Sequence, residues 1–343
     1  MKSVVLFAVA MLVGSFSAAI ALVATYDALT GANKSVPFDH SKFLLEVIPS
    51  PKIVIDGGSS SMFGIVPEMI ENEFGLPVID AADNASIPLA MKINRIIQYS
   101  RPGDIIILPF EWVYYTRSDM PSDFIDKTPD EYASYYGSLP YMDRLWFVIR
   151  WASLHNFSDA FRLRFKPSLA RDHAANIGDL LRRFPYGDRK DDSRRRSSVT
   201  GLDCADYLGS EGSIVEEMRM AARELRTIQN RLGVRIYITW PAIAGEGCYR
   251  SNNLQNDARD LFAENGVTTV GDVTDSSFDP SHMLDTYYHV DSAAAEVRTK
   301  RLIYHLSKAH DFPTLRGPTN NSTIEQGKQA YQVLAARYPP IKR

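Results

Sequence analysis

A serine, a histidine and an aspartate lie in two short stretches that are far apart in this sequence. Ser59 follows two glycines in the stretch Pro51–Ile65. Asp285 and His289 lie in the stretch Phe278–Arg301. A serine hydroxyl becomes a good nucleophile when a histidine accepts its proton, while an acid fixes the tautomer of the histidine and stabilises its protonated form. The three residue types therefore indicate nucleophilic catalysis, with Ser59 as nucleophile, His289 as base and Asp285 as acid.

The elements around these residues would bring them together. The apolar run Ile53–Ile55 is typical of a buried parallel strand. Gly57 and Gly58 allow a tight turn from that strand into a helix, and such a turn exposes a small hydroxyl residue at the carboxyl edge of the sheet. The alternative is that Ser59–Ser61 only cap the helix. The loop around His289 follows the last predicted strand, so we expect both stretches at the same edge of the sheet.

The alternation of apolar runs and helical segments predicts the fold. The predicted strands are Ile53–Ile55, Pro77–Asp80, Ile105–Leu108, Val234–Trp240 and Val267–Val270. The predicted helices are Ser61–Glu73, Leu89–Tyr99, Ser213–Arg231, Asn253–Asn265 and Ser292–Lys308. This pattern is typical of an α/β fold, and we predict three α/β/α layers around a doubly wound, mostly parallel, five-stranded sheet.

The amino-terminal segment predicts a location outside the cytoplasm. Ser3–Ala24 is uncharged, mostly apolar and long enough to cross a bilayer as a helix. We favour an uncleaved anchor over a cleaved secretory signal, although Ala19–Ala21 resembles a cleavage site. Lys2 favours a cytoplasmic amino terminus. We therefore expect a single-pass protein of the inner (cytoplasmic) membrane with a periplasmic or otherwise extracytoplasmic domain.

The chain is expected to contain four regions and one insertion. The regions are an anchor or signal (1–25), a linker (26–50), a catalytic domain (51–310) and a C-terminal extension (311–343). The regular alternation stops between about residues 112 and 200, where aromatic and basic residues gather, so we predict a helical insertion there. Its aromatic rings could stack on sugars and its arginines could meet an acidic polymer or lipid headgroups. The alternative is a small helical subdomain packed by its own aromatic residues.

The composition limits the partners and the compartment. A net charge of −3 over 343 residues gives no reason to expect nucleic acid binding. Cys204 and Cys248 are too few for a disulfide scaffold, and we expect one bridge between them if the domain is extracytoplasmic. Two buried free thiols are the alternative. Residue types that bind metals occur in the second stretch, but their spacing matches no standard site and we predict no metal. They are His282, His289, Asp279 and Asp285.

Two motifs together resemble a known family. GGSSSMFG (Gly57–Gly64) after the first strand, paired with DTYYHVD (Asp285–Asp291) near the end, is similar to the SGNH/GDSL hydrolase superfamily. The similarity is greatest to its membrane-anchored, extracytoplasmic branch, which is linked to polysaccharide or cell-envelope O-acylation. The resemblance covers residues 50–110 and 230–306. It implies that Ser59 is the nucleophile and that Asp285 and His289 are the acid and the base.

The family also implies where an oxyanion would bind. Its second sequence block usually has a glycine whose N–H serves the oxyanion hole, and the nearest residue here is Ala82. Its third block usually has an asparagine as a further donor, but this chain has Glu111 instead. An ionised carboxylate cannot donate a hydrogen bond, so we expect Glu111 to be protonated, to bind a substrate hydroxyl or to hold a neighbouring loop. Asn84 is the candidate replacement donor.

The resemblance implies an anchored extracytoplasmic serine enzyme that needs no cofactor. It would move an acyl group, expected to be acetyl, to or from a hydroxyl of a polysaccharide or other envelope glycan through Ser59, with the N–H groups of Ser59 and Ala82 holding the oxyanion. Transferase and esterase share this chemistry, and the family branch favours transfer from a membrane acyl-donor protein. The alternative is a non-catalytic carbohydrate-binding or assembly component of an exopolysaccharide machine.

Overall fold

The computed structural model describes residues 40–117, 213–245 and 253–312, and scattered residues elsewhere (11, 14–18, 20–26, 28, 141–142, 144–145, 186, 323, 325–326 and 329). The chain divides into two compact units, Met1–Asp39 with Met120–Ile177 and His40–Asp119 with Gly178–Arg343. The described residues of the first unit are helical. All helices and strands named below belong to the second unit.

Three predictions fall wholly or partly outside the described residues. Among the described residues, no helix combines the length and the apolar character needed to cross a membrane, so the anchor predicted over Ser3–Ala24 has no support there. Residues 3–10 of that segment lie outside the described part. The predicted bridge between Cys204 and Cys248 also lies outside it, as does most of the insertion predicted over 112–200. The anchor, the bridge and the insertion therefore stay predictions.

The described strands form a main sheet and a small second sheet. They are β1 (Ile53–Ile55), β2 (Val78–Asp80), β3 (Ile105–Leu108), β4 (Arg235–Ile238), β5 (Ile243–Ala244), β6 (Thr268–Thr269) and β7 (Ser277–Phe278). The main sheet has the order β2-β1-β3-β4-β6 with every pair parallel. The α/β fold and the five-stranded parallel sheet are thereby confirmed. The small parallel sheet of β5 and β7 was not predicted.

The helices lie between the strands largely where the sequence predicted them. They are α1 (His40–Val47), α2 (Ser59–Gly64), α3 (Pro67–Phe74), α4 (Leu89–Tyr99), α5 (Val113–Thr116), α6 (Glu216–Leu232), α7 (Leu254–Glu264) and α8 (Ser292–Lys308). The helix predicted over Ser61–Glu73 is wrong in its bounds, because it is two helices, α2 and α3. Proline disfavours a helical conformation in the preceding residue, and Val66 before Pro67 is extended.

The core explains why β1 and β3 are apolar at every position. Side chains on both faces of β1 and β3 are fully buried, as expected for central parallel strands that are covered on both sides. One part of this core joins the strands to α3 and α8 through Phe74, Leu302 and Leu306. The burial of α8 against the sheet holds its first turn, and the loop before it, near the carboxyl ends of the strands.

The first aromatic residues of the predicted insertion belong to the core of the second unit. Trp112, Tyr114 and Tyr115 are buried. The ring of Trp112 stacks on Trp240, which follows β4, with the ring centroids 5.5 Å apart. Tyr115 meets Phe262 of α7 edge-on at 6.3 Å. These three residues therefore do not supply a surface for stacking on sugars, which was one of the two interpretations of the insertion.

The strand order places a switch point between β1 and β3. After β1 the chain crosses to β2 on one side, and it returns to β3 on the other side of β1. In open parallel sheets, ligands bind in the crevice outside the carboxyl ends of the strands at such a switch point. The segments that leave β1 and β3 there contain Ser59 and Glu111, respectively.

Candidate active site

Ser59 is the one serine of its cluster that is open to solvent. It is the first residue of α2 and is half-buried, whereas Ser60 and Ser61 are fully buried. The Ser60 hydroxyl points inward and donates to the Ala242 carbonyl at 3.4 Å. The Ser61 N–H donates to the Gly58 carbonyl at 3.0 Å, which closes the turn. Of the three serines, Ser59 is therefore the candidate for contact with a substrate.

His289 and Asp285 form a hydrogen-bonded pair on the loop before α8. The distance between His289 Nδ1 and the Asp285 carboxylate is 2.6 Å. The imidazole is buried, while the carboxylate side chain is 34% exposed. With Nδ1 facing a carboxylate, the neutral imidazole carries its proton on Nδ1 and its Nε2 can act as a base. The predicted acid–base pair thus has the geometry that its chemistry requires.

The loop that carries this pair is closed at its base. The Leu284 N–H donates to the His289 carbonyl at 2.8 Å, and the Asp291 N–H donates to the His282 carbonyl at 2.8 Å. The side chain of Asp291 caps α8 by accepting the Ala294 N–H at 2.9 Å. Its second oxygen lies 3.1 Å from His282 Nδ1. Residues 282–291 are therefore a tight hairpin fixed to the first turn of α8.

The two predicted stretches meet through α2. The ring of Phe63 contacts the His289 imidazole, with the centroids 4.4 Å apart. Residues four apart lie on the same face of a helix, so Phe63 and Ser59 share a face of α2. The buried Arg298 of α8 also donates to the Ser60 carbonyl at 2.8 Å. The imidazole therefore lies against Phe63, one helical turn along α2 from Ser59.

Ala82 and Asn84 occupy the loop after β2. The Ala82 N–H donates to the Asp80 carboxylate at 2.9 Å, so this predicted oxyanion donor already has an acceptor. The Ala82 side chain packs on Met62 and Phe63 of α2. The carbonyl oxygen of the Asn84 side chain accepts the Ser86 N–H at 2.9 Å, which leaves the side-chain amide N–H groups as the possible donors.

Glu111 holds the turn at Ser59 rather than facing solvent. It is fully buried, and its Oε1 accepts the Ser60 N–H at 2.8 Å. Its Oε2 has no hydrogen-bond partner within the described residues. Burial raises the pKa of Glu111, although the hydrogen bond from Ser60 and the positive charge of Lys92 oppose the rise. Of the three roles expected for this side chain, holding a neighbouring loop is the one with a visible contact.

A buried ion cluster below the turn was missed by the sequence analysis. Arg95 of α4 donates to both Asp56 carboxylate oxygens at 2.5 and 2.7 Å, and to Asp83 at 2.6 Å. Lys92 donates to the Gly57 carbonyl at 2.7 Å and also pairs with Asp83. Burial raises the pKa of Asp83, but the charges of Arg95 and Lys92 outweigh it and lower the pKa. The signal was present, because both aspartates follow strands and the two cations are three residues apart on α4.

A metal ion has no evident place at this edge. Within the described ranges, no group of three or more His, Cys, Asp or Glu side chains converges in a way that could hold one. The histidines considered as ligands instead pair with aspartates, His282 with Asp291 and His289 with Asp285. These pairs are the hydrogen-bonded arrangements expected for structure or for proton transfer.

Comparison with known proteins adds no family assignment. No protein-family model matches the chain. No curated protein is significantly similar to it. The interpretation of the site therefore depends on the chemistry and the geometry of its residues.

Proposed function

We propose that this protein is a serine-dependent O-acyltransferase or esterase of the SGNH/GDSL type. Ser59 is the nucleophile, His289 the base and Asp285 the acid that orients it. The observation that carries the proposal is the 2.6 Å pair of His289 and Asp285, whose imidazole contacts Phe63 one helical turn from Ser59. Two other His–Asp pairs occur in the described chain, His282 with Asp291 and His305 with Asp275, but neither contacts Phe63 of α2 as His289 does.

The reaction follows from the order of the three groups. The Ser59 hydroxyl attacks the acyl carbonyl carbon while His289 Nε2 takes its proton. Asp285 stabilises the imidazolium, and the tetrahedral intermediate carries its negative charge on the former carbonyl oxygen. As the intermediate collapses, the imidazolium returns the proton to the leaving alkoxide and an acyl-serine remains. A sugar hydroxyl or water then attacks the acyl-serine by the same route, giving transfer or hydrolysis.

The backbone limits which groups can hold the oxyanion. The Ser60 N–H is bound by Glu111, and the Ser61 N–H is bound by the Gly58 carbonyl. The Ser59 N–H makes no hydrogen bond to any described residue, so it is available. Asn84 is the second candidate, through its side-chain amide. Loss of one oxyanion donor costs about 3 kcal/mol in other serine enzymes, so two donors still permit turnover.

The substrate and location are proposed from the family resemblance. The acyl group is acetyl, the acceptor is a polysaccharide or other envelope glycan, and the donor is a membrane acyl-donor protein. The domain works on the extracytoplasmic side of the inner membrane, held by the amino-terminal segment. The identities of the acyl group and of the acceptor can be tested with soluble substrates, independently of the membrane.

The test is hydrolysis of a chromogenic acetyl ester. Wild type is expected to turn over the ester, and Ser59→Ala is expected to lose at least about 10³-fold in kcat/KM, because no other group supplies the nucleophile. Ser307→Ala, which removes an exposed serine at the end of α8, is the matched control and is expected to match wild type. Equal turnover by wild type and Ser59→Ala would show that Ser59 is not the nucleophile.

A second candidate function is favoured because two backbone N–H groups near Ser59 already donate to carboxylates. The Ala82 N–H and the Ser60 N–H both have carboxylate acceptors, which is unusual for a site that must hold an oxyanion. A non-catalytic carbohydrate-binding or assembly component would keep the fold without that need. Polysaccharide binding that survives Ser59→Ala, without covalent labelling of wild type by a serine-directed phosphonate, would favour this function over the first.

A further inference from the structure

The backbone of Ser60, next to the proposed nucleophile, is held from two sides by buried charged side chains. Its N–H donates to Glu111 Oε1 at 2.8 Å. Its carbonyl accepts a hydrogen bond from Arg298 Nη1, also at 2.8 Å. The two side chains come from different elements, the segment after β3 and helix α8. Ser60 is thereby fixed relative to both the sheet and the loop that carries the imidazole.

The Glu111 carboxyl group lies close to the backbone of the turn at Gly58 and Ser60. Glu111 is fully buried, and its carboxyl group lies so near the Gly58 backbone that a Cβ atom on Gly58 would overlap it. A larger residue at this position would force the Glu111 carboxyl group to move. The carboxyl group therefore occupies the space beside Gly58 and Ser60.

The contact with Arg298 restrains the other side of α2. This side chain is 3% exposed, and its second nitrogen, Nη2, donates to the Trp240 carbonyl at 2.8 Å. A Cβ atom on Gly64 would lie 2.5 Å from Nη1. The guanidinium thus packs on the backbone of α2 at Ser60 and again one turn later at Gly64. It ties α2 to the segment after β4.

Burying two ionisable side chains at one backbone position costs free energy of folding. A charged group loses its hydration when it is buried, and hydrogen bonds only partly offset the loss. An apolar pair of similar size would fill the same space without that loss, so stability alone does not explain this pair. Hydrogen bonds are directional, so these two fix the orientation of the turn. An apolar pair could not do so. Orientation of a nucleophile matters because a displacement of about 1 Å can lower the rate about 100-fold.

We propose that Glu111 and Arg298 are positioning residues that clamp the backbone of Ser60 and so hold the Ser59 hydroxyl towards His289. The inference rests on the proposed function, since it assigns a role within that reaction. Neither side chain touches the substrate. Their removal therefore lowers kcat and the reactivity of Ser59, and it leaves KM nearly unchanged.

The test compares four variants that remove or weaken the clamp. Glu111→Met and Arg298→Met remove the hydrogen bonds at similar side-chain length. Glu111→Asp draws the carboxylate back from the Ser60 N–H, and Arg298→Lys cannot make the two-nitrogen contact with separate carbonyls. The two milder variants decide the question if a methionine variant does not fold. Each is measured as kcat and KM for a chromogenic acetyl ester and as the rate of Ser59 labelling by a serine-directed phosphonate, per folded molecule.

The expected results separate positioning from general stability. The methionine variants lose about 100-fold in kcat and in labelling rate, the milder variants lose about 10-fold or more, and KM changes less than about threefold. Glu111→Gln keeps both rates within about fivefold, because an amide oxygen can still accept the Ser60 N–H. Lys52→Met is the matched control. It removes a buried cation that pairs with Asp104 at the opposite edge of the sheet, so it lowers stability but not kcat.

Three outcomes would overturn the inference. Wild type and the clamp variants could label equally fast, which would refute the clamp and leave the proposed function intact. Lys52→Met could lose kcat as much as the clamp variants, which would reduce the effect to general destabilisation. Wild type could fail both to turn over the ester and to label, which would refute the proposed function and this inference together.

Discussion

Among the individual residues, His289 has the environment that a general base requires. Asp285 lies 2.6 Å from its Nδ1 and can stabilise a positive charge on the ring. Phe63 covers part of the ring, with the centroids 4.4 Å apart, and limits the access of water to it. Because its Nδ1 is held by a carboxylate, the imidazole presents Nε2 as the nitrogen that can accept a proton.

The first prediction compares two histidines that both pair with aspartates. His289→Gln is expected to lower kcat/KM for an acetyl ester by about 10³-fold or more, because the base is lost. His305 lies 2.7 Å from Asp275, so His305→Gln is a matched control that removes the same kind of pair away from Ser59. The control is expected to keep wild-type kcat/KM. A similar loss in both variants would contradict the assignment of the base.

The second prediction concerns Glu111 and the pH dependence of stability. Burial raises its pKa in the folded protein above the ordinary carboxyl value of 4.5. Between that value and the raised pKa, the folded state binds more protons than the unfolded state, so stability falls as the pH rises. Glu111→Gln lacks this titration. Its free energy of unfolding is therefore expected to increase relative to wild type as the pH rises above about 4.5.

Urea unfolding of wild type and Glu111→Gln from pH 5 to pH 8 measures this difference. Glu264→Gln, which removes an exposed carboxyl group on α7, is measured in parallel to isolate the effect of burial. If the free energy of unfolding of Glu111→Gln instead decreased relative to wild type as the pH rises, the prediction would be contradicted. That result would indicate that the folded protein stabilises the ionised form of Glu111.

Of the secondary-structure elements, the 282–291 hairpin and α8 act as one support for the imidazole. Asp291 joins them, because its backbone N–H pairs with His282 while its side chain caps α8. Asp285 and His289 project from the hairpin at positions set by this closure. The geometry of the pair therefore depends on the start of α8.

The third prediction is that Asp291→Ala lowers both stability and activity. Loss of a helix cap typically costs about 1 kcal/mol, and loosening of the hairpin is expected to lower kcat about 10-fold. Asp272→Ala is the control, because Asp272 caps a separate short helix, Val273–Ser276, by accepting the Thr274 N–H at 3.0 Å. The control is expected to lose stability but not kcat. Unchanged kcat in Asp291→Ala would separate the hairpin from the chemistry.

The sequence predicted most of the elements but not the details of their ends. Apolar runs predicted all five strands of the sheet, and the bounds of α4 and α8 agree with the prediction because both have clear periodicity and end signals. The break before Pro67 was missed, although proline is a known signal for it. The pair β5 and β7 was not predicted; each strand is only two residues long and lies between the predicted strands and helices.

Across the whole molecule, the site lies where the winding of the sheet reverses. The turn after β1, which lies at the switch point, and the turn after β2 are both tied to α4 by an ion cluster, whose members are Asp56, Asp83, Lys92 and Arg95. Asp56, Lys92 and Arg95 are buried and Asp83 is 19% exposed, and the four charges balance one another. The cluster holds the Ser59 turn and the Ala82 loop in a fixed relation to each other.

The fourth prediction tests this cluster through Arg95→Met. The change leaves Asp56 buried without its main partner, so the free energy of unfolding is expected to fall by about 3–5 kcal/mol. Arg223→Met is the control, because Arg223 pairs with Glu216 on the exposed face of α6. That change is expected to cost less than about 1 kcal/mol. If urea unfolding shows that Arg95→Met loses no more free energy of unfolding than Arg223→Met, the buried cluster contributes no more to stability than an exposed ion pair.

The chemistry of the site was more predictable than its support. Residue types, together with their positions after predicted strands, indicated Ser59, His289 and Asp285, and the structure pairs two of them, His289 with Asp285. The partners of backbone groups could not be predicted in this way. Two examples are the hydrogen bond from the Ser60 N–H to Glu111 and the one from the Ala82 N–H to Asp80. Both depend on three-dimensional positions that no local sequence pattern indicates.

The most direct test of the central claim is to identify the residue that forms a covalent adduct with a serine-directed phosphonate. Intact-mass measurement and peptide mapping would follow treatment of wild type, Ser59→Ala and His289→Gln. We predict one adduct per molecule of wild type, located on Ser59, none on Ser59→Ala, and labelling slowed about 10³-fold or more in His289→Gln. An adduct on another residue, or equal labelling of wild type and His289→Gln, would contradict the claim that Ser59 and His289 act together.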